Sequence, residues 1–147
     1  NIAHFGFSLL ILSILFNSLF SSEIITNLKV GETFDDSKTK IFFKSIEQKE
    51  EKNFKSIVAN FNIENSKGII ENLSPELRIY NQPNIITSEA DIKTTMMSDK
   101  FIVINVVQNQ DYFNVRYQVK PFMLWIWLSV LLISFGGLLS LFKKNYE

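Results

Sequence analysis

The sequence contains no cysteine in its 147 residues. Disulfides, thiolate metal sites and a thiol nucleophile are therefore excluded. The chain also lacks an excess of either charge, because 15 basic residues balance 15 acidic ones. A nucleic-acid-binding protein would show a basic surplus or stripe, so no nucleic acid partner is expected. No nucleophile–base motif, phosphate-binding loop or metal-ligand cluster is visible, and we expect no catalytic residue within the chain.

The apolar residues are concentrated at the two ends. The run from Ile2 to Phe20 has no charge beyond that of its single histidine, and the run from Pro121 to Phe142 has none. As helices they would be roughly 28 and 33 Å long, close to the thickness of a hydrocarbon core. This predicts transmembrane helices over residues 1–21 and 121–142. The alternative, a buried helix of a soluble protein, is usually shorter and amphipathic.

The first run does not have the pattern of a signal peptide. It lacks a basic n-region, it is longer than the usual apolar core of such a peptide, and no small-x-small cleavage site follows it. Because the chain starts at Asn1, already within an apolar run, we expect it to be a fragment of a larger protein.

Basic residues next to the second run indicate the orientation of the chain. Lys143 and Lys144 follow it directly, and lysine beside a span favours the cytoplasmic side. The tail of residues 143–147 is therefore predicted to be cytoplasmic, and the loop of residues 22–120 extracytoplasmic. Trp125 and Trp127 would then lie near the outer membrane interface, which amphipathic rings favour.

The loop of residues 22–120 is rich in short segments with β-branched and aromatic residues, separated by turn residues. This pattern predicts a small antiparallel β sandwich or open barrel, giving an α+β membrane protein. A hairpin loop is expected at Gln108–Asp111, and the charge run Glu47–Lys55 predicts an extended loop or hairpin tip, with a helix as the alternative. The predicted strands are Ile24–Val30, Ile41–Ile46, Ser56–Ile63, Gly68–Leu73, Leu77–Tyr80, Ala90–Thr95, Phe101–Val107 and Tyr112–Val119.

His4 is the only histidine and lies within the first apolar run. An ionisable residue in a span is costly and usually faces a protein interior, a cavity or a cofactor. Its imidazole could ligate a metal or haem iron. Ala3 and Gly6 leave room for a planar group or a close partner helix, and Ser8 could form a hydrogen bond nearby. The alternative is an interfacial histidine that is merely hydrogen-bonded or reaches the headgroups.

Two other features have a structural and a functional interpretation. Gly136 and Ser140 form a small-xxx-small pair, which allows close helix packing, although glycine is also simply tolerated in membrane helices. Glu76 and Arg78 would lie on the same face of a strand, where they could pair or form a polar docking patch. No pair of the other carboxylates has the arrangement of a general acid and base, including those of Glu89, Asp91 and Asp99.

Four stretches in this order carry a family resemblance: IAHFGF, LSPELRIY, TSEADI and VRYQVKPFMLWIWLSVLLISFGGLLSL. Over essentially the whole chain, the sequence resembles the C-terminal portion of CcmF, a family of cytochrome c-type biogenesis proteins that act as haem lyases. The resemblance implies that His4, in the A-H-x-G motif, is an axial ligand of a membrane-embedded haem b. One histidine cannot supply two axial ligands, so the second would lie outside this chain.

The resemblance also implies a function and a set of partners. The intact protein would receive haem from the haem chaperone CcmE and join its vinyl groups to the thiols of a C-x-x-C-H motif in apocytochrome c. The haem b would supply electrons to reduce the incoming haem iron. Other partners would be the remainder of the haem lyase, a CcmH-type subunit and the lipid bilayer. The location would be a bacterial inner membrane with the loop in the periplasm, or an organelle's inner membrane.

This chain lacks one segment of the family and departs from the family pattern at one position. The tryptophan-rich segment that handles the delivered haem is absent, since Trp125 and Trp127 belong to the last span. Leu77 stands where the family has Lys, which would remove one positive charge from a possible docking strip around Glu76 and Arg78. The rival interpretation is a two-span scaffold whose β domain docks partners and binds no cofactor.

Overall fold

The structure is a computed structural model that describes residues 1–107 and 110–144. Two helices flank ten strands along the chain. The elements are α1 (Ile2–Phe20), β1 (Ser22–Leu28), β2 (Thr33–Asp36), β3 (Thr39–Glu50), β4 (Phe54–Asn65), β5 (Ile70–Leu73), β6 (Glu76–Asn81), β7 (Asn84–Glu89), β8 (Asp91–Thr94), β9 (Ser98–Val106), β10 (Phe113–Pro121) and α2 (Met123–Lys144).

The two helices have the length and composition of membrane spans. In the most apolar 18-residue stretch of each helix, the buried share is only 11% for α1 and 6% for α2 within the described chain. The core helix of a soluble protein would be mostly buried, so these lipid-compatible surfaces favour the transmembrane interpretation. Helix α2 begins at Met123, two residues after the start expected from the apolar run, because Pro121 is the last residue of β10.

The helices form one compact unit of residues 1–22, 94–99 and 119–147, and residues 23–93 and 100–118 form a second, β-rich unit. The second unit contains a six-stranded sheet with the order β2-β3-β4-β6-β7, in which β5 also pairs with β4. The strands of the other sheet have the order β1-β10-β9-β8. The antiparallel β3–β4 pair is the longest, running from Thr39↔Asn65 to Glu50↔Lys55 with one register shift between Phe43 and Ser45.

Aromatic rings from both sheets meet in the core of the β unit. Phe43 on β3 stacks on its cross-strand partner Phe61 at a centroid distance of 4.4 Å. Phe113 on β10, in the other sheet, contacts Phe43 edge-on at 5.8 Å. The alternation of buried and exposed residues along the strands directs these side chains inward. Other fully buried core residues are Ile41, Leu77, Ile102, Ile104 and Val115.

All eight predicted strands overlap an observed strand, but the sequence did not predict β2 and β7. Both are short, and β2 is the polar segment TFDD, which pairs with β3 as an edge strand. The charge run Glu47–Lys55 is a hairpin: its first residues extend β3 and its last belong to β4. Two predictions lie partly outside the described residues, namely the Gln108–Asp111 loop at Gln108 and Asn109, and the tail at its last three positions.

Candidate functional site

His4 lies near the start of α1 with an exposed side chain. The hydroxyl of Ser8 donates a hydrogen bond to the main-chain oxygen of His4 at 3.1 Å. Ser8 therefore uses its donor on the helix backbone rather than on the imidazole, as serine often does within helices. The imidazole is left facing outward from the helix.

The small residues beside His4 contact the second helix. A Cβ atom added to Gly136 of α2 would lie 2.5 Å from the main-chain nitrogen of Ala3 and 2.9 Å from its Cβ. One at Gly6 would lie 3.0 Å from both the nitrogen and Cγ1 of Ile133. From the sequence, Ala3 and Gly6 could make room for a planar group or for a close partner helix. In the structure they allow a helix to approach, and that helix is α2.

The two residues of the double glycine, Gly136 and Gly137, differ in their surroundings. A Cβ atom at Gly137 would meet nothing within 4 Å among the described residues, whereas one at Gly136 would collide with backbone. Ser140, the other small residue of the predicted packing pair, is exposed. Gly136 is thus the residue whose missing side chain allows the helices to approach.

The surface of α1 that carries His4 is apolar and uncovered. Phe7 and Ile11 follow His4 at i+3 and i+7, and they are 58% and 54% exposed. Residues at this spacing share one face of a helix. An imidazole bordered by apolar side chains matches the needs of a haem, whose iron takes a nitrogen ligand and whose porphyrin packs on apolar surface. The chain can supply one such ligand, because His4 is its only histidine.

At the opposite end of the helix pair, the entry into α2 is fixed by contacts with α1. The Nδ2 of Asn17 donates a hydrogen bond to the carbonyl of Pro121 at 2.6 Å. Phe16 packs on Phe122 at a centroid distance of 5.2 Å. Phe122 has φ of 60°, a left-handed conformation that costs a non-glycine residue about 1–2 kcal/mol. The packing and hydrogen bond offset this strain at the point where the strand becomes a helix.

Glu76 and Arg78 pair with each other on the exposed face of β6. The Nε of Arg78 lies 3.2 Å from Oε2 of Glu76, which also accepts a hydrogen bond from Ser56 at 3.0 Å. The guanidinium lies 3.9 Å from Glu89 and over the ring of Phe54 at 5.2 Å. The hydrogen bond to Glu76 raises the pKa of Arg78. These charges are mutually satisfied, which favours the ion-pair interpretation over an open docking patch.

Leu77 does not belong to the Glu76–Arg78 face. It is 1% exposed and points into the core, as alternation along a strand requires. Leu77 is therefore part of the core and not of the exposed strip that carries Glu76 and Arg78.

A second charged cluster was not predicted from the sequence. Glu71 on β5 is only 11% exposed and lies 2.8 Å from the ammonium of Lys100 and 3.7 Å from that of Lys93. Burial, together with the charge of Glu71, raises the pKa of Tyr117 to about 12. Glu71 and Lys100 are 29 residues apart in the chain. No local spacing signal could have identified this cluster, because β5 belongs to one sheet and β8 and β9 to the other, and only the packing of the two sheets brings the three residues together.

Two of the other carboxylates considered from the sequence, those of Asp91 and Glu89, form hydrogen bonds or ion pairs within the fold. The Oδ2 of Asp91 accepts a hydrogen bond from the main-chain nitrogen of Ser74 at 2.6 Å. Glu89 lies beside Arg78 and accepts a hydrogen bond from Thr87 at 3.3 Å. Over residues 1–107 and 110–144, no group of three metal-ligating side chains comes together.

The chain matches one protein family over most of its length. The family described as the CcmF C-terminal beta-sandwich matches residues 19–121. The cytochrome c-type biogenesis protein ccl1 of Rhodobacter capsulatus is 35% identical over 125 residues, which cover 85% of this chain and 19% of that protein. The cytochrome c-type biogenesis protein CcmF of Pseudomonas fluorescens is 30% identical over 146 residues, covering 99% of this chain and 22% of the relative.

One solved structure has a similar fold. The protein titled "Cytochrome c Heme Lyase CcmF" superimposes with a TM-score of 0.70 at 17% identity, covering 93% of this chain and 23% of that one. The described chain thus spans about a fifth of the length of the curated relatives. Together with the two apolar helices, the family match confirms the predicted fold class, a membrane protein with two transmembrane helices and a β sandwich between them in sequence. The chain belongs to the CcmF family of cytochrome c-type biogenesis proteins, of which it represents the C-terminal portion.

Proposed function

We propose that the chain forms the C-terminal part of a membrane haem lyase for cytochrome c maturation, in which His4 is one axial ligand of a haem b. The observation that carries this proposal is the geometry of α1. Its small residues contact α2, while the opposite, exposed surface presents His4 together with Phe7 and Ile11. The intact protein would supply the second ligand and the rest of the pocket.

The residues of this chain would hold and orient the ligand. Close contact between Ala3 and Gly136 sets the rotation of α1 against α2, so that the imidazole of His4 has a defined direction. The apolar neighbours would exclude water from the ligand, which affects the redox potential of a bound haem. When bound, the haem b would supply electrons that keep an incoming haem iron reduced. The chain itself would contribute no catalytic residue.

The partners follow from the same proposal. They are the remainder of the haem lyase, the haem chaperone CcmE, a CcmH-type subunit and the apocytochrome c. The β sandwich would be their extracytoplasmic neighbour, in the periplasm of a bacterium whose inner membrane holds the helices, or at the equivalent organelle membrane. The domain boundaries that we expect are 1–21, 22–120, 121–142 and 143–147.

The test is a histidine replacement in the complete protein, purified in detergent. We expect His4→Gly to lose the low-spin b-type absorption in reduced-minus-oxidised spectra, and free imidazole to restore part of it by occupying the vacated position. The matched control is Ser8→Ala, one turn further along α1, which should keep the spectrum. Restoration by imidazole separates loss of the ligand from misfolding.

An unchanged low-spin spectrum and midpoint potential in the His4→Gly protein would contradict the ligand assignment. A complete protein that matures cytochrome c without any b-type absorption would instead support the cofactor-free scaffold.

A further inference from the structure

The turn between β8 and β9 carries two apolar side chains in an unusual place. Met96 and Met97 occupy the central positions of the turn Thr95–Ser98, where glycine, asparagine, aspartate, proline and serine are usual. They are 69% and 64% exposed. The turn is closed by Thr95, whose main-chain nitrogen and hydroxyl donate to the carbonyl of Ser98 at 2.9 and 2.8 Å.

The turn is attached to the first turn of the second transmembrane helix. The main-chain nitrogen of Phe122 donates to the carbonyl of Met97 at 2.9 Å. The indole nitrogen of Trp125 donates to the carbonyl of Met96, also at 2.9 Å. Residues 94–99 accordingly belong to the same compact unit as the helices. The turn therefore lies at the level of the membrane at which α2 begins.

These hydrogen bonds suit an environment that is poor in water. Main-chain polar groups must find partners within the protein where lipid replaces water. Both central carbonyls of the turn have such partners: one donor is Phe122, the residue just before α2, and the other is Trp125 in its first turn. The thioether side chains are flexible and apolar, so they can fill irregular space among acyl chains. The neighbouring Trp127, 65% exposed, has the amphipathic ring that favours the same interface.

We propose that the Met96–Met97 turn is a membrane-interface anchor, with both side chains inserted at the boundary between the headgroups and acyl chains of the leaflet where α2 begins. The lipid is favoured over a protein partner because the turn is hydrogen-bonded to the start of a transmembrane helix whose first turns are apolar and open, with Leu124 and Trp127 42% and 65% exposed. The anchor would hold the turn at the membrane interface together with the start of α2, to which it is hydrogen-bonded.

The test measures the depth of nitroxide labels in the complete protein, reconstituted in nanodiscs of phosphatidylethanolamine and phosphatidylglycerol. The present sequence has no cysteine, and any cysteines in the rest of the complete protein would be replaced. Met96→Cys and Met97→Cys are labelled separately, and relaxation enhancement by oxygen is compared with that by a water-soluble nickel chelate. Leu131→Cys in α2 serves as the lipid reference, and Ser37→Cys in the β2–β3 turn as the aqueous reference with the same label.

Insertion predicts that oxygen relaxes the labels at both methionine positions more strongly than nickel does, with depth parameters between those of Leu131→Cys and Ser37→Cys. A depth parameter equal to that of Ser37→Cys at either position would show a water-exposed turn and overturn the proposal. Exclusion of both oxygen and nickel would show a protein contact and overturn it as well. None of these outcomes depends on haem binding, so the result is independent of the proposed function.

Discussion

Replacement of Gly136 by alanine tests whether close contact between the helices organises the site of His4. The added methyl carbon would lie 2.5 Å from the main-chain nitrogen of Ala3 and 3.0 Å from its Cα. The obstacle is backbone, which cannot rotate away as a long side chain could. Overpacking of this kind costs about 1–3 kcal/mol, because the helices must separate or shift.

Gly137→Ala is a matched control, since it makes the same chemical change one residue further along the same helix. A methyl group there would meet nothing within 4 Å in the described chain. Alanine favours a helix over glycine by about 1 kcal/mol, and this gain applies to both variants. We therefore expect Gly137→Ala to keep or raise the stability of the helix pair, and Gly136→Ala to fall below it by at least about 1 kcal/mol.

The assay is reversible unfolding of the chain in mixed micelles with increasing dodecyl sulfate, followed by the fluorescence of Trp125 and Trp127, the only two tryptophans. In the complete protein, the Gly136→Ala variant should also change the absorption spectrum of the haem, because Ala3 adjoins His4. Equal unfolding midpoints for the two alanine variants would refute the packing argument.

Two predictions concern the β sandwich. Burial and the charge of Glu71 raise the pKa of Tyr117 to about 12 from an ordinary value of 10, so the folded state favours the neutral phenol. The stabilisation that results from this pKa difference is complete below pH 10 and is lost as the pH rises from 10 to 12. Denaturant unfolding across this pH range should therefore show a decline that Tyr117→Phe reduces, and an identical decline in that variant would contradict the assignment. Phe43→Ala should destabilise the domain by about 3–5 kcal/mol, because it removes a fully buried ring stacked on Phe61. Phe42 lies on the opposite face of β3 and is only half-buried. Phe42→Ala should therefore lower the stability clearly less in the same thermal or chemical unfolding measurement, and an equal loss of stability would contradict the assignment of Phe43 to the core.

The β strands show where local sequence information is sufficient. Strands such as β4 and β9 contain alternating or continuous apolar residues whose period is set by the pleat, so their existence could be predicted without knowledge of their partners. The strand β2 could not, since TFDD has little apolar content and becomes a strand only because β3 offers it main-chain hydrogen bonds. Pairing of this kind depends on tertiary structure rather than on propensity.

The residues around His4 show the same division. The sequence identified the histidine, its small neighbours and the glycine pair, because an ionisable residue in an apolar run and small residues in a span are local signals. It could not decide whether Ala3 and Gly6 make room for a cofactor or for a helix, nor which glycine forms the contact. Both answers depend on the rotation of α1 about its axis, which the approach of Gly136 sets.

The sequence by itself determined the two membrane spans, the β-rich segment between them and the family, because apolar run length, residue alternation and motif order are properties of the chain read in order. Only the tertiary structure decided that Glu71 joins Lys93 and Lys100, that Leu77 faces the core and that the Met96–Met97 turn is bound to the start of α2. These relations join residues that are far apart in the chain or turn neighbouring residues to opposite faces. They are therefore set by strand register and packing.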